Sequence, residues 1–463
     1  MLNFIKQGMV AALLVTSTAV KAQTYVSLED CREQAVAYNK DLKKAALQIA
    51  EAESNLKVAK KAYLPSIEAS ATAMHIPNLN AELNMPGGFL PTAESLEAAQ
   101  AGNFSGMSDV YSPGMSMTMD KMSLVAADVS LIQPIYTGGK INAINKQAKI
   151  GQEISQENYQ LTYSDIIVKT DQAYWNVIAA RDGVALSKSY LEMLTDLEEQ
   201  MADMQEVGLL PASEKLRVSV QKNQAELNVV KAENGLTLAT MFLNQLMGAK
   251  LKQETVPTDE LNATVAKMDL NDGLTYGLSN RQELKMMDKQ VEISKLQEQV
   301  VRADYLPQAG VSAAYMYAYA TDVAEDLAPI ALLSGQVNIP VFHWGERKQK
   351  MRVAKLQTEQ HQTDYEQAFD MITLEIQQKS LALEEAYTAI QIAKKGVAQA
   401  KEAMEETQYS FEADLNTTTD LLNAKAEYQN AQYQLIGALI DYETQKTDWA
   451  KTTGTLVRPM DNK

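Results

Sequence analysis

The feature that most constrains this chain is that the same order of sequence elements occurs twice. Tyr63-Leu64-Pro65 recurs as Tyr305-Leu306-Pro307 at an offset of 242 residues. A second match aligns "IQPIYTGGK" around Pro134 with "VNIPVFHWGE" around Pro340 at an offset of 206 residues, and it continues for more than a hundred residues. A tandem duplication predicts a fold built from two copies of one unit. The two offsets differ by 36, so the first copy carries 36 extra residues.

Each copy predicts a helix, two strands and a long helical hairpin, in that order. Pro65 and Pro307 disfavour helix in the residue before them, so the charged helical runs end there. Period-two alternation follows at 125–132 in copy one and at 311–319 and 332–339 in copy two, which is typical of two-faced strands. The prediction is two strands per copy and four per chain. The run from Lys140 to Gly208 has no proline and predicts a helix about 100 Å long.

These elements predict the organisation of the whole chain. Lys6, a short apolar run and small residues before Gln23 predict a secretory signal. Residues 248–272 are expected to form an equatorial segment joined by both termini. The expected segments are a signal peptide at 1–22, a first-copy N-terminal segment and helix at 23–65, a first strand pair with an extracellular loop insertion at 66–134, a first long helical hairpin at 135–247, the equatorial segment at 248–272, a second-copy helix at 273–306, a second strand pair at 307–340, a second long helical hairpin at 341–453 and a C-terminal tail at 454–463.

Composition narrows the class of protein. Glycine and proline are sparse, at 21 and 12 residues, which favours long helices. The formal charge of −17 argues against nucleic acid as a partner. Cys31 is the single cysteine, so no internal disulfide is possible. The acidic residues before it argue against a lipid anchor, and a half-buried helical cysteine is expected. Outside the signal no apolar stretch approaches about 18 residues, so no transmembrane helix is predicted.

The predicted strands point to a membrane. Strands of about ten residues have the height of an outer-membrane barrel. Four strands cannot close into a barrel, and an open sheet edge is not viable in lipid, so the chain is expected to oligomerise. Two chains would give eight strands with a side-chain-filled interior, whereas three would give twelve strands and a lumen.

With these features together, the sequence resembles the TolC family of bacterial outer-membrane channel proteins. The resemblance rests on the signal peptide, the duplication, "VGLLPASEKL" and the junctions between helices and strands. The junction residues are Pro65, Pro134, Gly139, Pro307, Pro340 and Gly345. The family implies a mainly helical fold, with duplicated long antiparallel hairpins and four strands per chain in a trimeric twelve-stranded barrel. It also implies an exit duct for efflux or type I secretion, in the outer membrane and extending into the periplasm, with a periplasmic adaptor and an inner-membrane RND or ABC transporter as partners.

The two turns between long helices are candidate binding surfaces. As sequence they are ordinary helical-hairpin turns; by resemblance they dock the adaptor. The residues concerned are Val207, Gly208, Leu209, Leu210, Asp414 and Leu415. Gly208 is expected to allow close backbone approach. Asp414 stands at the position of Gly208 in copy two, and although Asp tolerates a left-handed conformation, equal docking at both turns is not expected.

The resemblance also places a periplasmic gate at Asp420 and Asn423, where family members carry an acidic ring. Asn423 departs from the acidic pattern. Asp420 has a second interpretation, because an acidic residue here stabilises the N-terminus of the following helix.

No enzyme and no cofactor are predicted. His75, His343 and His361 form no metal-ligand spacing. The insertion from Met74 to Met122 has two interpretations, a soft-metal site of thioethers beside His75 or an extracellular loop without metal. Its methionines are Met74, Met85, Met107, Met115, Met117, Met119 and Met122.

A second class of function stays open beside the channel, a secreted periplasmic coiled-coil scaffold without a pore. The alternating strands favour the channel, because a scaffold has no use for them.

Overall fold

The computed structural model describes most of the chain as two compact units. The described residues are 24–77, 81–85, 88–91, 109–112, 115–119, 122–208, 210–262, 264–320 and 327–458. The predicted signal peptide, Leu209 and Met107 lie outside them. The helical unit comprises the described residues of 24–54, 149–293 and 358–458, and the strand unit comprises those of 55–148 and 294–357.

The helices repeat in number and length as the duplication predicts. In the described residues they are α1 (Leu28–Tyr38), α2 (Lys40–Lys61), α3 (Lys140–Glu206), α4 (Ala212–Leu246), α5 (Gly273–Asn280), α6 (Gln282–Ala303), α7 (Glu346–Glu412) and α8 (Thr418–Thr452). The helices α3 and α7 both have 67 residues, about 100 Å at 1.5 Å per residue. The helices α4 and α8 both have 35 residues. The predicted mainly helical fold class is confirmed.

One helix prediction is wrong. A single helix was expected from about Gly273 to Asp304, but the chain breaks at Arg281, which has extended backbone angles of φ −60° and ψ 123°. The Arg281 guanidinium is buried and donates to the Thr452 carbonyl at 3.1 Å and to Glu375 at 2.7 Å. Asn39 interrupts the first copy at the equivalent position, 242 residues earlier. The break is therefore a duplicated feature, and in the second copy the contacts of Arg281 with Thr452 and Glu375 are tertiary.

Sevenfold apolar spacing builds the core between the long helices. Val177, Leu194 and Met201 of α3 are each at most 1% exposed. Near the turns, Leu194 and Met201 are joined by Val218 of α4 and Leu421 of α8 in one buried cluster. The sevenfold apolar positions of α3 thus lie in the buried core of the helical unit. Among the described residues, no helix combines the length and apolarity required to span a bilayer.

Short strands and a buried ion pair connect the N-terminal segment to the rest of the helical unit. The strand β1 (Thr24–Val26) pairs in parallel with a strand of the expected equatorial segment, Thr255–Pro257. Arg32 donates two hydrogen bonds to the fully buried carboxylate of Asp171, at 2.6 and 2.8 Å. Cys31 is fully buried rather than half-buried as expected. Burial, with nearby carboxylates, raises the pKa of its thiol to about 12.

The strand unit contains one four-stranded antiparallel sheet. Numbered in chain order, the strands that follow β1 are β2 (Ser66–Ile76), β3 (Ala81–Met85), β4 (Gly88–Pro91), β5 (Asp109–Ser112), β6 (Met115–Met119), β7 (Met122–Tyr136), β8 (Thr255–Pro257), β9 (Gln308–Ala320) and β10 (Leu327–Asn338). The sheet has the order β10-β9-β7-β2, so the two strands predicted for each copy are present, and they lie together in one sheet. The strand β7 continues past Pro134 to Tyr136 across a register shift.

The insertion after β2 is not only a loop. It contains two further antiparallel ladders, β3 with β6 and β4 with β5. Alternation such as Met-Ser-Met-Thr-Met at 115–119 carries the period-two signal of a strand. Whether the insertion binds metal stays a hypothesis.

Candidate functional site

The four-stranded sheet has two chemically different faces. Cross-strand partners share a face, and successive residues along a strand alternate. Glu68 pairs with Ser130 and Ser70 pairs with Asp128, so the carboxylates of the sheet lie on one face. The Ser70 hydroxyl donates a hydrogen bond to the Asp128 carboxylate. The central part of the opposite face carries Ile67, Ala69, Ala71, Ala73, Val125, Ala127, Val129, Leu131, Ala313, Tyr315, Tyr317, Tyr319, Ala331, Leu333, Gly335 and Val337.

The apolar face and the edges of the sheet are exposed in the single chain. Leu333 is 81% exposed and Ile67 is 70% exposed. Within the described residues, the outer strands β10 and β2 each have a neighbour on one side only. The 13 residues of β9 extend about 43 Å, or about 30 Å at a tilt of 45°, which equals the thickness of a hydrocarbon core. The sheet therefore has the dimensions of a sheet that spans a membrane. One of its two faces has the apolar character that contact with lipid requires.

The predicted junction residues lie at the ends of these strands. Pro65 and Pro307 directly precede β2 and β9. Between β7 and α3, Gly138 and Gly139 have φ of 64° and 89°. A Cβ at Gly138 would lie 2.9 Å from the Ala303 carbonyl oxygen, so glycine is required there for close approach.

The second junction differs in sequence but keeps the same backbone. Trp344 stands at the position of Gly138, has a positive φ of 46° and is 91% exposed. Gly345, at the position of Gly139, has a φ of 78°. Pro340 lies between the end of β10 and the start of α7. The left-handed turn is therefore kept even where a bulky residue occupies it.

The first of the two turns between long helices, which joins α3 to α4, exposes an aliphatic side chain. Val207 follows the end of α3 and is 70% exposed. Gly208 has a φ of 78°, yet nothing lies within 4 Å of a Cβ built on it, so the expectation of close backbone approach is wrong. Glycine is favoured there by the backbone angle alone. Leu210 packs, partly buried, against the adjacent core cluster, so Val207 is the exposed aliphatic side chain among the described residues of this turn.

The second turn, between α7 and α8, also exposes an aliphatic side chain, but an aspartate takes the left-handed backbone position that glycine takes in the first turn. Asp414 adopts a φ of 62°, the left-handed conformation that aspartate tolerates. Its amide donates to the Phe411 carbonyl at 3.0 Å, and the Leu415 amide donates to Ser410 at 2.8 Å, which closes the end of α7. Leu415 is 78% exposed. Among the described residues, each turn thus presents an exposed aliphatic side chain, Val207 in the first and Leu415 in the second.

Asp420, a predicted gate residue, forms a helix cap. Its carboxylate accepts from the Thr417 amide at 2.9 Å and from the Thr417 hydroxyl at 2.6 Å, and its own amide donates back to that hydroxyl. These hydrogen bonds lower the pKa of Asp420, so the exposed carboxylate is ionised at neutral pH. Asn423 is exposed one turn further along α8. The cap is a structural fact, and the gate stays a prediction.

A lysine near the second turn is buried. Lys425 is 6% exposed and continues the buried row that contains Thr418 and Leu421. It lines a cavity of about 200 Å³ together with Asp196 of α3 and Glu412 of α7. Burial lowers the pKa of Lys425, although Asp196 opposes the change. A charged group therefore occupies a seam position where apolar packing is the rule.

Sequence reasoning missed Glu68, Asp128 and Lys425 as candidate functional residues. For the first two a signal was available, because Glu68, Ser70 and Thr72 alternate with apolar neighbours. For Lys425 the signal was its spacing of four residues from Leu421 on the same helical face.

Comparison with known proteins agrees with this geometry. The model of the outer membrane efflux protein family matches residues 31–249 and 277–455, most of the chain. The chain belongs to the outer membrane efflux protein family. Outer membrane protein TolC of Vibrio cholerae is 19% identical over 340 residues, covering 72% of this chain and 77% of that protein. The alkaline protease secretion protein AprF of Pseudomonas aeruginosa is 22% identical over 342 residues, covering 70% and 67%.

A solved structure gives the same fold. The channel CusC superposes with a TM-score of 0.73 at 13% identity, covering 93% of each chain. The resemblance to the TolC family is thereby confirmed, and so is the expected location in the outer membrane with an extension into the periplasm. Family membership favours a transport channel over the coiled-coil scaffold and is consistent with a protein that is not an enzyme.

Proposed function

We propose that three copies of this chain form a twelve-stranded barrel continued by a helical tunnel. The assembly acts as the exit duct of a tripartite efflux pump or a type I secretion system. The observation that carries the proposal is the two-faced sheet, with an apolar face, a hydroxyl- and carboxylate-bearing face and two open edges. In lipid, unpaired backbone groups at β2 and β10 destabilise a single chain, and pairing β2 of one copy with β10 of the next removes every edge.

The number of copies follows from the interior. Eight strands leave a barrel that side chains fill, whereas twelve leave a lumen. The polar face supports an aqueous lumen, because Glu68 and Asp128 are poorly tolerated against lipid. With the apolar face outward, Tyr315, Tyr317 and Val129 meet acyl chains.

The partners follow from the turns. Val207 and Leu415 are aliphatic, exposed and located where the helical hairpins end, which supports docking of a periplasmic adaptor that links the duct to an inner-membrane RND or ABC transporter. The named relatives include a secretion protein, AprF, so protein export and small-molecule efflux are both within the proposal.

Conductance and export test this proposal together. Protein extracted from outer membranes is expected to form discrete pores in planar lipid bilayers. A host strain that lacks the chain is expected to lose resistance to a toxic compound or to lose secretion of a protein. Protein found only in the soluble periplasm, without conductance, would instead support the coiled-coil scaffold.

A further inference from the structure

Charge is distributed very unevenly along this chain. The helical ends next to the sheet, residues 55–61, 140–148, 294–304 and 346–357, hold 12 of the 42 Lys and Arg residues but only 3 of the 59 Asp and Glu residues. Their net charge is therefore +9 in a chain of net charge −17. The four strands of the sheet contain Glu68 and Asp128 and no Lys or Arg. We call these four helical ends the basic junction surface.

The basic junction surface is accessible and grouped. On α7, Lys348, Arg352 and Lys355 are exposed and spaced at i, i+4 and i+7, so they share one helical face. On α2, Lys57, Lys60 and Lys61 are exposed and spaced at i, i+3 and i+4, so they also share one helical face. Its acidic members Asp304 and Glu346 are paired with Lys140 and Lys350, at 2.8 and 2.6 Å. These four helical ends therefore keep a net charge of +9 after their own acidic residues are counted.

Aromatic residues separate this surface from the strands. Tyr63, Tyr136, Tyr305 and Trp344 occupy the four junctions, one at each. The register places these junctions at the same end of the four strands, since Ser66 pairs with Ile132 and Gln308 pairs with Asn338. Aromatic residues between an apolar strand face and charged residues are typical of the lipid–water interface, where their rings lie at headgroup level.

We propose that the basic junction surface binds anionic phospholipid headgroups in the leaflet of the outer membrane that faces the periplasm. The inference rests on the sheet lying in the membrane as proposed above. Its occupant follows from charge complementarity and from continuity with the apolar face. Lys355, the farthest of the α7 residues, is nine residues from the start of the helix, about 14 Å. That distance is covered by a headgroup layer about 5–8 Å thick, together with the reach of lysine side chains and a Debye length of about 8 Å.

The test uses the purified full-length protein in detergent, titrated with phosphatidylglycerol and, in parallel, with phosphatidylcholine. Retained lipid per protein is measured by native mass spectrometry, and the apparent melting temperature is followed. We expect at least about tenfold preference for phosphatidylglycerol at low salt, lost at 0.5 M NaCl because exposed charges are then screened. Inorganic phosphate is expected to leave the melting temperature unchanged.

The decisive variant combines Lys348→Gln, Arg352→Gln and Lys355→Gln. It is expected to weaken phosphatidylglycerol binding by about tenfold or more, while the assembled state and its conductance are kept. A control combines Lys231→Gln, Lys250→Gln and Lys395→Gln, which removes the same charge from exposed positions of the helical unit. The control is expected to change binding less than about twofold. If the first variant fails to assemble, Lys57→Gln, Lys60→Gln and Lys61→Gln replace it on α2.

Five results would overturn the inference. Equal retention of the two lipids, or equal behaviour of variant and control, would remove the headgroup site. Stabilisation by inorganic phosphate alone would assign a free-anion site. Unchanged lipid binding with altered ion selectivity would place these lysines in the lumen, and unchanged lipid binding with loss of an acidic protein partner would assign a protein interface. Loss of conductance in the wild type would instead reject the channel proposal.

Discussion

Lys425 is the residue whose position conflicts most with its chemistry. It lies in the buried row of α8 with Asp196 and Glu412 facing the same small cavity, yet it has no ion-pair partner within 4 Å among the described residues. A lysine at one seam position commonly fixes the register of packed helices at the expense of stability. We infer that it plays this role where α8 packs near the second turn.

Replacement of Lys425 by methionine is expected to raise the free energy of unfolding by about 1 kcal/mol at pH 7, because a desolvated charge is removed from the seam. Burial lowers the pKa of Lys425 in the folded state. The charged lysine therefore destabilises the wild-type protein to its full extent at pH values below that folded-state pKa. This destabilisation declines as pH rises through the folded pKa toward the ordinary value of 10.5. Chemical denaturation at pH 7 and pH 10 measures the difference in free energy of unfolding between the Lys425→Met variant and wild type. This difference should be smaller at pH 10.

The matched control is Lys222→Met. Lys222 is paired with Glu198 at 2.8 Å, and this contact raises its pKa, so its loss should destabilise the protein instead. A Lys425→Met variant that is less stable than wild type at both pH values would contradict the assignment.

The observed role of Asp420 as a helix cap and its proposed role in a gate need separate tests. Asp420→Ala is expected to reduce cation selectivity in planar bilayers if three carboxylates converge on the axis, because a carboxylate ring stabilises cations at a constriction. Since its pKa is lowered, the wild-type selectivity should persist as pH falls to the ordinary value of 3.8 and disappear below the lowered pKa.

Asp30 supplies the control for this experiment. It forms the same capping box with Ser27 at the start of α1, far from the turns in sequence. Asp30→Ala removes an equivalent cap and should leave selectivity unchanged. Equal effects of both substitutions would show that capping alone matters at Asp420.

The apolar face of the sheet is tested at the scale of a single strand. Val129 lies on that face and Ser130 on the other, one residue apart in β7. Val129→Arg is expected to cost about 2–4 kcal/mol of folding in the membrane, because the guanidinium meets lipid near mid-depth. The fraction of protein resistant to urea extraction from outer membranes measures the effect.

Ser130→Arg is the matched control, because its partner Glu68 lies directly across the strand pair and offers a carboxylate. It should assemble nearly as well as wild type. If Ser130→Arg is excluded from the membrane and Val129→Arg is accepted, the two faces have been assigned the wrong way round.

The elements show how far sequence alone carries the fold. The alternation along β7 and β10 and the proline-free run of α3 each predict an element, because periodicity records burial. The break at Arg281 was missed, since no proline or glycine marks it and its cause is a guanidinium bonded to Thr452 far along the chain. The role of Asp420 as a cap was one of two open interpretations, and only the positions of Thr417 and its hydroxyl decide that the cap is formed.

At the scale of the whole molecule, the exposed turns are tested through export. Val207→Asp combined with Leu415→Asp is expected to reduce export by at least about tenfold, because two charges replace the aliphatic contacts that an adaptor would bury. The assembly itself should stay intact, since neither side chain lies in a core. Drug susceptibility or secretion in the complemented deletion strain gives the measurement.

Leu251→Asp places a charge at a comparably exposed leucine, 55% exposed, outside both turns. Export by this control should equal that of wild type. Normal export by the turn variant, with Leu251→Asp also normal, would remove the turns from the docking surface.

The duplication made the architecture of the molecule predictable, because an offset that stays at 206 residues along the long helices requires helices of equal length, and α3 and α7 have equal lengths. The number of copies in the assembly did not follow from periodicity. It depends on the width of the interior that the closed barrel encloses, which is a property of the complex and not of one chain.

The most direct test of the central claim is therefore the mass of the protein extracted from outer membranes in mild detergent and measured by native mass spectrometry. Closure of twelve strands predicts one dominant species of three chains, which dissociates to single chains on heating. A species of one chain only would contradict the account, because open strand edges would then persist in lipid. A species of two chains would contradict it as well, because eight strands leave no lumen.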